Sequence, residues 1–255
     1  MSYRITGTGS CIPDITKKNS DFLENKFLDT DGGKFQTSNS EIIDKFNSIT
    51  GIYERRYAPD EINCSDLAAV AAGLAINDSK LDQETLDYII VAHNTGDISC
   101  SSGQVDTLPS VASKVKAKLK IKNPNCVAYD IICGCPGWVE GIIQAKSFIK
   151  SGMAEKCLVI GCDTLSRILD ENDRDSMIYA DGSGAIVLES DNSYDGGILS
   201  HKSATFTYDG ENDFIFYGAS YDIKKRTQSD QKFIKMQGRK VYEFALKNVP
   251  LAMKS

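Results

Sequence analysis

Three short, almost continuously apolar stretches separated by helical patterns limit the folds open to this chain. They are LDYIIVAH, NCVAYDIIC and KCLVIGCD. Such runs are typical of strands buried on both faces, because a half-exposed strand alternates apolar and polar residues. The segments around and between them, SDLAAVAAGLAINDS, LPSVASKVKAKLKI and PGWVEGIIQAKSFIKSG, have helical composition. This alternation predicts an α/β fold with a parallel or mixed sheet covered by helices on both faces.

Local signals predict where several elements begin and end. YRITGTG is expected to be a strand, NSDFLENKF a helix capped by Asn19 or Ser20, and SEIIDKFNSITG a helix that stops near Gly51. Ser65 is the expected N-cap of the alanine-rich helix. Thr107 and Pro109 are expected to open LPSVASKVKAKLKI, with proline near the first helical position.

The last third of the chain has a different pattern. SMIYADGSGAIVLES predicts two strand segments around a glycine-rich turn. After SDNSYDGG the pattern restarts with ILSHKSATF, read as a more polar strand, and ends in FIKMQGRKVYEFALKNVPLAMKS, read as a helix. We therefore expect two domains, residues 1–190 and 191–255. The second is expected to be unfinished, because its last helix has no partner for its apolar face.

Composition excludes several classes of function. The net charge of −6 argues against a general nucleic-acid or anionic-membrane binder, although a local basic patch for an acidic carrier stays possible. No apolar run approaches the roughly 18 residues of a transmembrane helix, and MSYRITGTGS has no signal-peptide pattern. A cytoplasmic protein is expected, in which the eight cysteines are reduced thiols.

The stretch YDIICGCPGW places a thiol at a strand-to-helix turn. Pro136 favours the first helical position, so Cys135 is expected near the N-cap of a helix over 136–150. There the positive end of the helix favours a thiolate, and free amide N–H groups can hold an oxyanion. Gly134 and Gly137 would leave room for a substrate carbonyl. The alternatives are a buried structural cysteine or a metal ligand; zinc sites usually need a CxxC-like pair and two further ligands.

Several motifs in order resemble those of one enzyme family. They are ITGTGSCIPD, TGIYERRYAPDE, LPSVASKVKAKLKIKN, AYDIICGCPGWVEGIIQAKSFIKSG, LVIGCDTLSRILDENDRDS, YADGSGAIVL and IKMQGRKVYEFA. From Tyr3 to about Lys247 the chain is similar to β-ketoacyl-acyl-carrier-protein synthase III, a condensing enzyme of the thiolase superfamily. The resemblance implies a thiolase-like fold in α-β-α-β-α layers, with a complete N-terminal half and a truncated C-terminal half.

The resemblance also implies a reaction. Cys135 matches the nucleophile that takes an acyl group from an acyl thioester. A malonyl group on acyl carrier protein is then decarboxylated, and its carbanion takes the acyl group from sulfur. Cys133 falls where the family has alanine and is expected to be part of the core. Implied partners are acyl-CoA or acyl-carrier-protein thioesters, acyl carrier protein and a second copy in a homodimer. Cofactors, metals, nucleic acid and membranes are not implied.

Further site residues come from the resemblance position by position. Leu108 matches a bulky residue that closes the acyl pocket across the dimer interface, and Arg174 an arginine that meets the CoA nucleotide. Met236 and Gly238 match the wall of the pantetheine tunnel. The segment 181–185 matches a glycine turn near the nucleophile. Plain structural roles remain open for all of them.

Departures from the family pattern put parts of the function in doubt. Lys45 and Ile49 replace the Trp and Arg that hold the CoA adenine, so a carrier-bound or unusual acyl donor is plausible. The loop before Leu108 is longer than usual. The two histidines, His93 and His201, do not lie in the family's Pro-His-Gln-Ala-Asn-like motif, and its Asn-Thr-Ser-like motif is absent too. His93 is interpreted as structural. We expect an incomplete copy of a longer chain or a split enzyme, without efficient condensation.

Two alternatives to a ketosynthase stay open. One is another thiolase-superfamily acyltransferase or a hydroxymethylglutaryl-CoA synthase-like enzyme. The other is a non-catalytic subunit of a heteromeric ketosynthase, against which the intact Cys135 motif argues.

Overall fold

The computed structural model describes residues 2–194 and 196–254. Its strands are β1 (Tyr3–Cys11), β2 (Ile15–Lys18), β3 (Glu54–Tyr57), β4 (Tyr88–His93), β5 (Asp97–Ile98), β6 (Val105–Asp106), β7 (Val127–Ile132), β8 (Lys156–Thr164), β9 (Asp181–Ser190), β10 (Ile215–Gly218) and β11 (Phe233–Met236). Its α-helices are α1 (Asn39–Thr50), α2 (Cys64–Ser79), α3 (Val111–Lys118), α4 (Gly137–Ser151), α5 (Ile223–Gln228) and α6 (Gly238–Lys254).

The chain forms two compact units. The first, which we call the sheet unit, comprises Met1–Ile15, Arg56–Arg167 and Asp181–His201. The second unit comprises Thr16–Arg55, Ile168–Ala180 and Lys202–Ser255. The units therefore interleave along the chain, and the expected division at residue 190 stays a prediction about domains.

The sheet unit is built on a mixed five-stranded sheet of order β1-β9-β8-β4-β7. β4 runs parallel to β7 and to β8, whereas β9 runs antiparallel to β8 and to β1. Helices cover both faces: α2 and α3 pack on one face, where Ile89 and Val91 of β4 point, and α4 packs on the other with Ile90. The predicted α/β class and the helices on both faces are confirmed.

Glycines allow the helices to approach this sheet closely. A Cβ on Gly9 of β1 would lie 2.2 Å from the Ala71 carbonyl oxygen of α2. A Cβ on Gly141 of α4 would lie 2.9 Å from Cγ1 of Val159 in β8. Both contacts are closer than a side chain tolerates, so these positions fix the distance between helix and sheet.

The second unit has its own small core. Phe22, Phe27, Ile42, Ile43 and Met177 are its buried apolar residues. α1 ends as predicted at Gly51, which has a positive φ of 70°. β10 and β11 form an antiparallel pair, in which Ile215 opposes Met236.

Two helix starts predicted from sequence are wrong. NSDFLENKF forms only a short 3-10 helix over Asn19–Phe22. α2 begins after Asn63, whose N–H donates to Asp66, and the expected cap Ser65 lies inside the helix.

The expected opening of α3 is also wrong. Its cap is Ser110, which accepts a hydrogen bond from the Ser113 amide. Thr107 and Pro109 therefore precede the helix.

Three further predictions are wrong, two of them because of strand pairing. The glycines of 181–185 do not form a turn but continue β9, because β1 and β8 pair with them from both sides. FIKM is not helical but is β11, held by β10, so the last helix begins only at Gly238. ILSHKSATF, over 198–206, contains no strand. No helix among residues 2–194 and 196–254 is long and apolar enough to cross a membrane.

Candidate active site

Cys135 lies in the turn that connects β7 to α4. The strand ends at Ile132 and the helix begins at Gly137, whose amide donates to the Gly134 carbonyl oxygen at 3.0 Å. Pro136 is the N-cap, so the helix starts one residue later than predicted and Cys135 precedes the cap. The thiol side chain is exposed, which contradicts a buried structural cysteine in this chain.

The two glycines of the turn have different roles. Gly134 has a φ of +64°, the left-handed region that other residues enter at a cost, so it gives the turn its shape. Gly137 is buried, and a Cβ there would lie 3.3 Å from Cβ of Ala92 and 3.4 Å from Cβ of Cys133. Gly137 therefore serves the packing of α4 on the sheet, not the approach of a substrate as expected.

Cys133 is exposed rather than part of the core, so that prediction is wrong. The physical reason is the position of β7, which among the described residues pairs only with β4 and forms an edge of the five-stranded sheet. At the two ends of β7 the side chains of Val127 and Ile132 are 47% and 69% exposed. An apolar run alone does not distinguish an inner strand from an edge strand.

The first turn of α4 supplies backbone donors beside the thiol. The first amide N–H groups of a helix have no carbonyl acceptor within the helix, and in α4 they include those of Trp138 and Val139. Together with the helix dipole they attract negative charge. An exposed thiol next to this helix end can act as a nucleophile, and an oxyanion can be stabilised there.

Asn94, at the carboxyl end of β4, lies beside this turn and was missed by sequence reasoning. Its backbone amide and side-chain amide both donate to the Asp163 carboxylate, at 2.9 and 2.7 Å. Its Oδ1 atom would lie 3.9 Å from a Cβ on Gly134. Burial raises the pKa of Asp163, although the hydrogen bonds from Asn94 act to lower it. The pair links the ends of β4 and β8 next to the turn that carries Cys135.

His93 is buried and joins a second polar link at the same end of the sheet. Its Nε2 atom lies 3.0 Å from Oδ2 of Asp130, while its Nδ1 atom has no hydrogen-bond partner within the described part of the chain. Asp130 also accepts the amides of Val111 and Ala112, each at 2.8 Å. Burial would raise the pKa of Asp130, but these three hydrogen bonds bring it below its usual value. The carboxylate thereby fastens the start of α3.

Leu108 is placed just before this helix. It is 86% exposed, and its amide donates to Oδ1 of Asp106 at 3.2 Å. The long loop before it forms a small hairpin of β5 and β6. Lys114 of α3 forms ion pairs with Asp97 and Asp106 of this hairpin. Leu108 is therefore a projecting apolar side chain in the sheet unit, as Cys135 is a projecting thiol.

The other three predicted residues belong to the second unit, where the structure brings them close together. A Cβ on Gly238 would lie 3.6 Å from Cε of Met236 and 3.5 Å from Oδ2 of Asp175, the neighbour of Arg174. Burial and Asp173 raise the pKa of Asp175. The half-exposed Arg174 guanidinium stacks on the Phe35 ring, 4.6 Å from its centroid. Lys45 and Ile49, at the positions of the family's adenine contacts, are exposed on α1.

Residues 2–194 and 196–254 bring no three or more His, Cys, Asp or Glu side chains into a group able to hold a metal ion. The site in the sheet unit consists of the Cys135 thiol, the first amides of α4 and the partly buried carboxylates of Asp130 and Asp163.

Known proteins resemble this chain in sequence and in structure. The profile of the family described as 3-Oxoacyl-[acyl-carrier-protein (ACP)] synthase III matches residues 129–206, which include Cys135. The solved 3-oxoacyl-(acyl carrier protein) synthase III of Pseudomonas aeruginosa superposes with a TM-score of 0.72 at 25% identity, covering 96% of this chain and 67% of that one. The Aquifex aeolicus enzyme of the same name gives 0.66 at 30% identity, with 95% and 67% covered. The expected thiolase-like fold is confirmed.

Sequence relatives extend the likeness over almost the whole chain. The Beta-ketoacyl-[acyl-carrier-protein] synthase III 1 of Vibrio cholerae is 35% identical over 248 residues, covering 96% of this chain and 68% of the relative. The Beta-ketoacyl-[acyl-carrier-protein] synthase III of Neisseria gonorrhoeae is 36% identical over 249 residues, covering 97% of this chain and 69% of the relative. The chain therefore belongs to the β-ketoacyl-acyl-carrier-protein synthase III family of condensing enzymes.

Proposed function

We propose that this chain accepts an acyl group from an acyl thioester onto Cys135, the first half of a ketosynthase III reaction. The observation that carries the proposal is the exposed Cys135 thiol on the turn before the N-terminus of α4. The thiolate form of a cysteine is the nucleophile in such a transfer. The first amides of α4 are positioned to stabilise the oxyanion formed when sulfur attacks the thioester carbonyl.

The donor and the acceptor in the proposed reaction are an acyl-CoA or acyl-carrier-protein thioester and a malonyl thioester on acyl carrier protein. Met236 and Gly238 lie beside Asp175, the neighbour of Arg174, which supports a shared role of these residues in binding the thioester arm. Because Lys45 replaces the family's adenine-binding tryptophan, we expect a carrier-bound donor to compete well with a CoA donor.

Decarboxylative condensation needs groups that stabilise the carbanion formed from malonate. The family's histidine and asparagine motifs for this step are absent from the 255 residues. We therefore propose that these residues alone complete the acylation but not the condensation.

A single-turnover experiment tests both halves of the proposal. The protein is mixed with acetyl-CoA or an acetylated carrier, free CoA or carrier is quantified, and malonyl carrier is then added. We expect release of one thiol equivalent per chain, abolished by Cys135→Ala and retained by Cys133→Ala, with no β-ketoacyl product. Unchanged release in Cys135→Ala would overturn the nucleophile assignment. Efficient formation of a β-ketoacyl carrier would overturn the restriction to the first half.

The same experiment separates the alternative activities. Condensation with acetoacetyl-CoA instead of malonyl carrier would favour a hydroxymethylglutaryl-CoA synthase-like enzyme. Failure to release any thiol, from CoA or from carrier, would favour a non-catalytic subunit.

We also propose a homodimer through the edge of the sheet. In the described part of the chain, β7 has an unpaired edge with exposed Val127 and Ile132. Exposed β edges in natural proteins are normally covered or paired. A second copy paired along β7 would extend the sheet and bury both side chains. Sedimentation should therefore give a dimer for the wild type and a monomer for Ile132→Lys. A monomeric wild type, or a dimer unaffected by this substitution, would contradict the proposed interface.

A further inference from the structure

Two cysteine side chains meet inside the sheet unit, on the face of the sheet that α2 and α3 cover. The Sγ atoms of Cys64 and Cys162 are 2.9 Å apart. This separation is only about 0.9 Å longer than the sulfur–sulfur bond of a disulfide. Both residues are buried, with exposed fractions of 0% and 4%. Together with apolar residues of α2 and the sheet, they form part of the same core cluster.

The backbone on both sides holds the two thiols in place. Cys64 is the first residue of α2, and the next residue, Ser65, donates to Asp97 through its amide and its hydroxyl at 2.8 and 2.9 Å. Cys162 lies in β8, an inner strand of the sheet, opposite Ser183 of β9. The contact is therefore set by a helix end and a sheet, not by a flexible loop.

We propose that Cys64 and Cys162 are a modification site, which forms an intramolecular disulfide when the protein meets a small-molecule disulfide. One thiolate attacks a sulfur of the reagent, displaces one reagent thiolate and becomes a mixed disulfide. The second cysteine attacks the protein sulfur of that mixed disulfide and displaces the other reagent thiolate. Two protein thiols are thus oxidised, the reagent disulfide is reduced to two thiols, and no other reactant is needed.

Burial controls the rate of this reaction. The contact with Cys162, followed by burial, raises the pKa of the Cys64 thiol, so little thiolate is present at neutral pH. The reagent reaches the pair when the first turn of α2 opens, since helix ends open more easily than inner strands. The pair should react more slowly than the exposed Cys100, Cys133 and Cys135, and faster at higher pH. Closure of α2 then shields the disulfide from reductants.

The cross-link would stabilise the sheet unit. It would join residues 98 positions apart in sequence, and so restrict the unfolded chain over a long loop. The melting temperature should rise by about 5 °C or more on oxidation. This consequence does not depend on the proposed acylation of Cys135.

Peptide mapping of the full chain tests the proposal. Exposed thiols are blocked with N-ethylmaleimide in the native state, and the protein is incubated with oxidised glutathione at pH 8.5. It is then denatured without reductant, alkylated with iodoacetamide and digested. We expect one cross-linked peptide pair joining Cys64 to Cys162, lighter by two hydrogens than the free peptides. Cys64→Ala should lack it, and Cys126→Ala, which changes another buried cysteine, should retain it.

The wild type alone decides the outcome, so the proposal does not depend on the variants folding. Carbamidomethylation of both Cys64 and Cys162 after oxidation would overturn it, because the two thiols would then only fill space. A cross-link from either residue to a different cysteine would overturn it as well. If the cross-linked Cys64–Cys162 peptide is found but the melting temperature does not change, the cross-link does not stabilise the sheet unit.

Discussion

Replacing Asp130 with alanine should loosen the start of α3 strongly. The carboxylate accepts three hydrogen bonds, two from the Val111 and Ala112 amides and one from His93. Losing a helix cap costs about 1 kcal/mol, and leaving a buried polar group without its partner costs about 1–3 kcal/mol. We therefore expect a loss of about 2–4 kcal/mol in the free energy of local unfolding. Ser110→Ala, which removes only the N-cap hydroxyl of α3, should cost about 1 kcal/mol.

Amide hydrogen exchange of peptides from 108–119 measures this difference. Since each 1.4 kcal/mol is a factor of ten, Asp130→Ala should speed exchange by about 30-fold or more, and Ser110→Ala by about fivefold. If exchange in Asp130→Ala is accelerated no more than in Ser110→Ala, the three hydrogen bonds to Asp130 do not stabilise the start of α3.

The same carboxylate gives a pH signature with a definite sign. The pKa of Asp130 is lower in the folded protein than its usual value, so its contribution is fully present above the unfolded pKa of about 3.9. That contribution is lost as the pH falls through the folded pKa. The melting temperatures of wild type and Asp130→Ala should therefore differ by a constant amount from pH 8 to 5 and converge below about pH 4. A difference that disappears near pH 6 would contradict this assignment.

Three further substitutions test the account of the turn, the helix packing and the second unit. Gly134→Ala, at a φ of +64°, should cost about 1–2 kcal/mol in urea unfolding and slow acylation, whereas Gly184→Ala, with open space around it, should leave acylation unchanged. Gly141→Ala should lower the melting temperature, because its Cβ would lie 2.9 Å from Val159. Gly73→Ala, whose Cβ would have its nearest neighbour at 3.8 Å, should raise the melting temperature, since alanine favours a helix more than glycine does. Equal shifts in the two variants would contradict the close packing at Gly141. Lys235→Met should lower the free energy of unfolding by about 3–5 kcal/mol, because the buried carboxylates of Asp170 and Asp173 would lose their cationic partner. No change in urea unfolding would contradict a stabilising role of this ion pair.

The sequence alone predicted the elements that have a strong local pattern. The apolar runs that became β4 and β8 are strands, and Pro136 located the start of α4 to within one residue. The local pattern failed where a distant partner decides the structure. FIKM is a strand because β10 pairs with it, and the glycines of 181–185 continue β9 because strands flank them on both sides.

The sequence predicted the Cys135 thiol of the candidate site but not the polar residues whose hydrogen bonds hold the surrounding strands and helix in place. Cys135 stands out locally, since Pro136 and the glycines mark the turn. Asn94 and Asp163 are 69 positions apart in sequence, and His93 and Asp130 are 37 apart, so no local motif connects them. The polar residues at the end of the β4 run, in VAHNTGD, were the only available signal. The exposure of Cys133 followed from the edge position of β7, which depends on the order of all five strands.

Mass spectrometry can locate the acyl group that the proposed transfer leaves on the protein. After incubation with an acyl-CoA or an acylated carrier, the intact protein is weighed and the peptide containing both Cys133 and Cys135 is fragmented. We expect one acyl group per chain, attached to Cys135, retained in Cys133→Ala and lost in Cys135→Ala. An acyl group on Cys133, or an adduct that persists in Cys135→Ala, would contradict it.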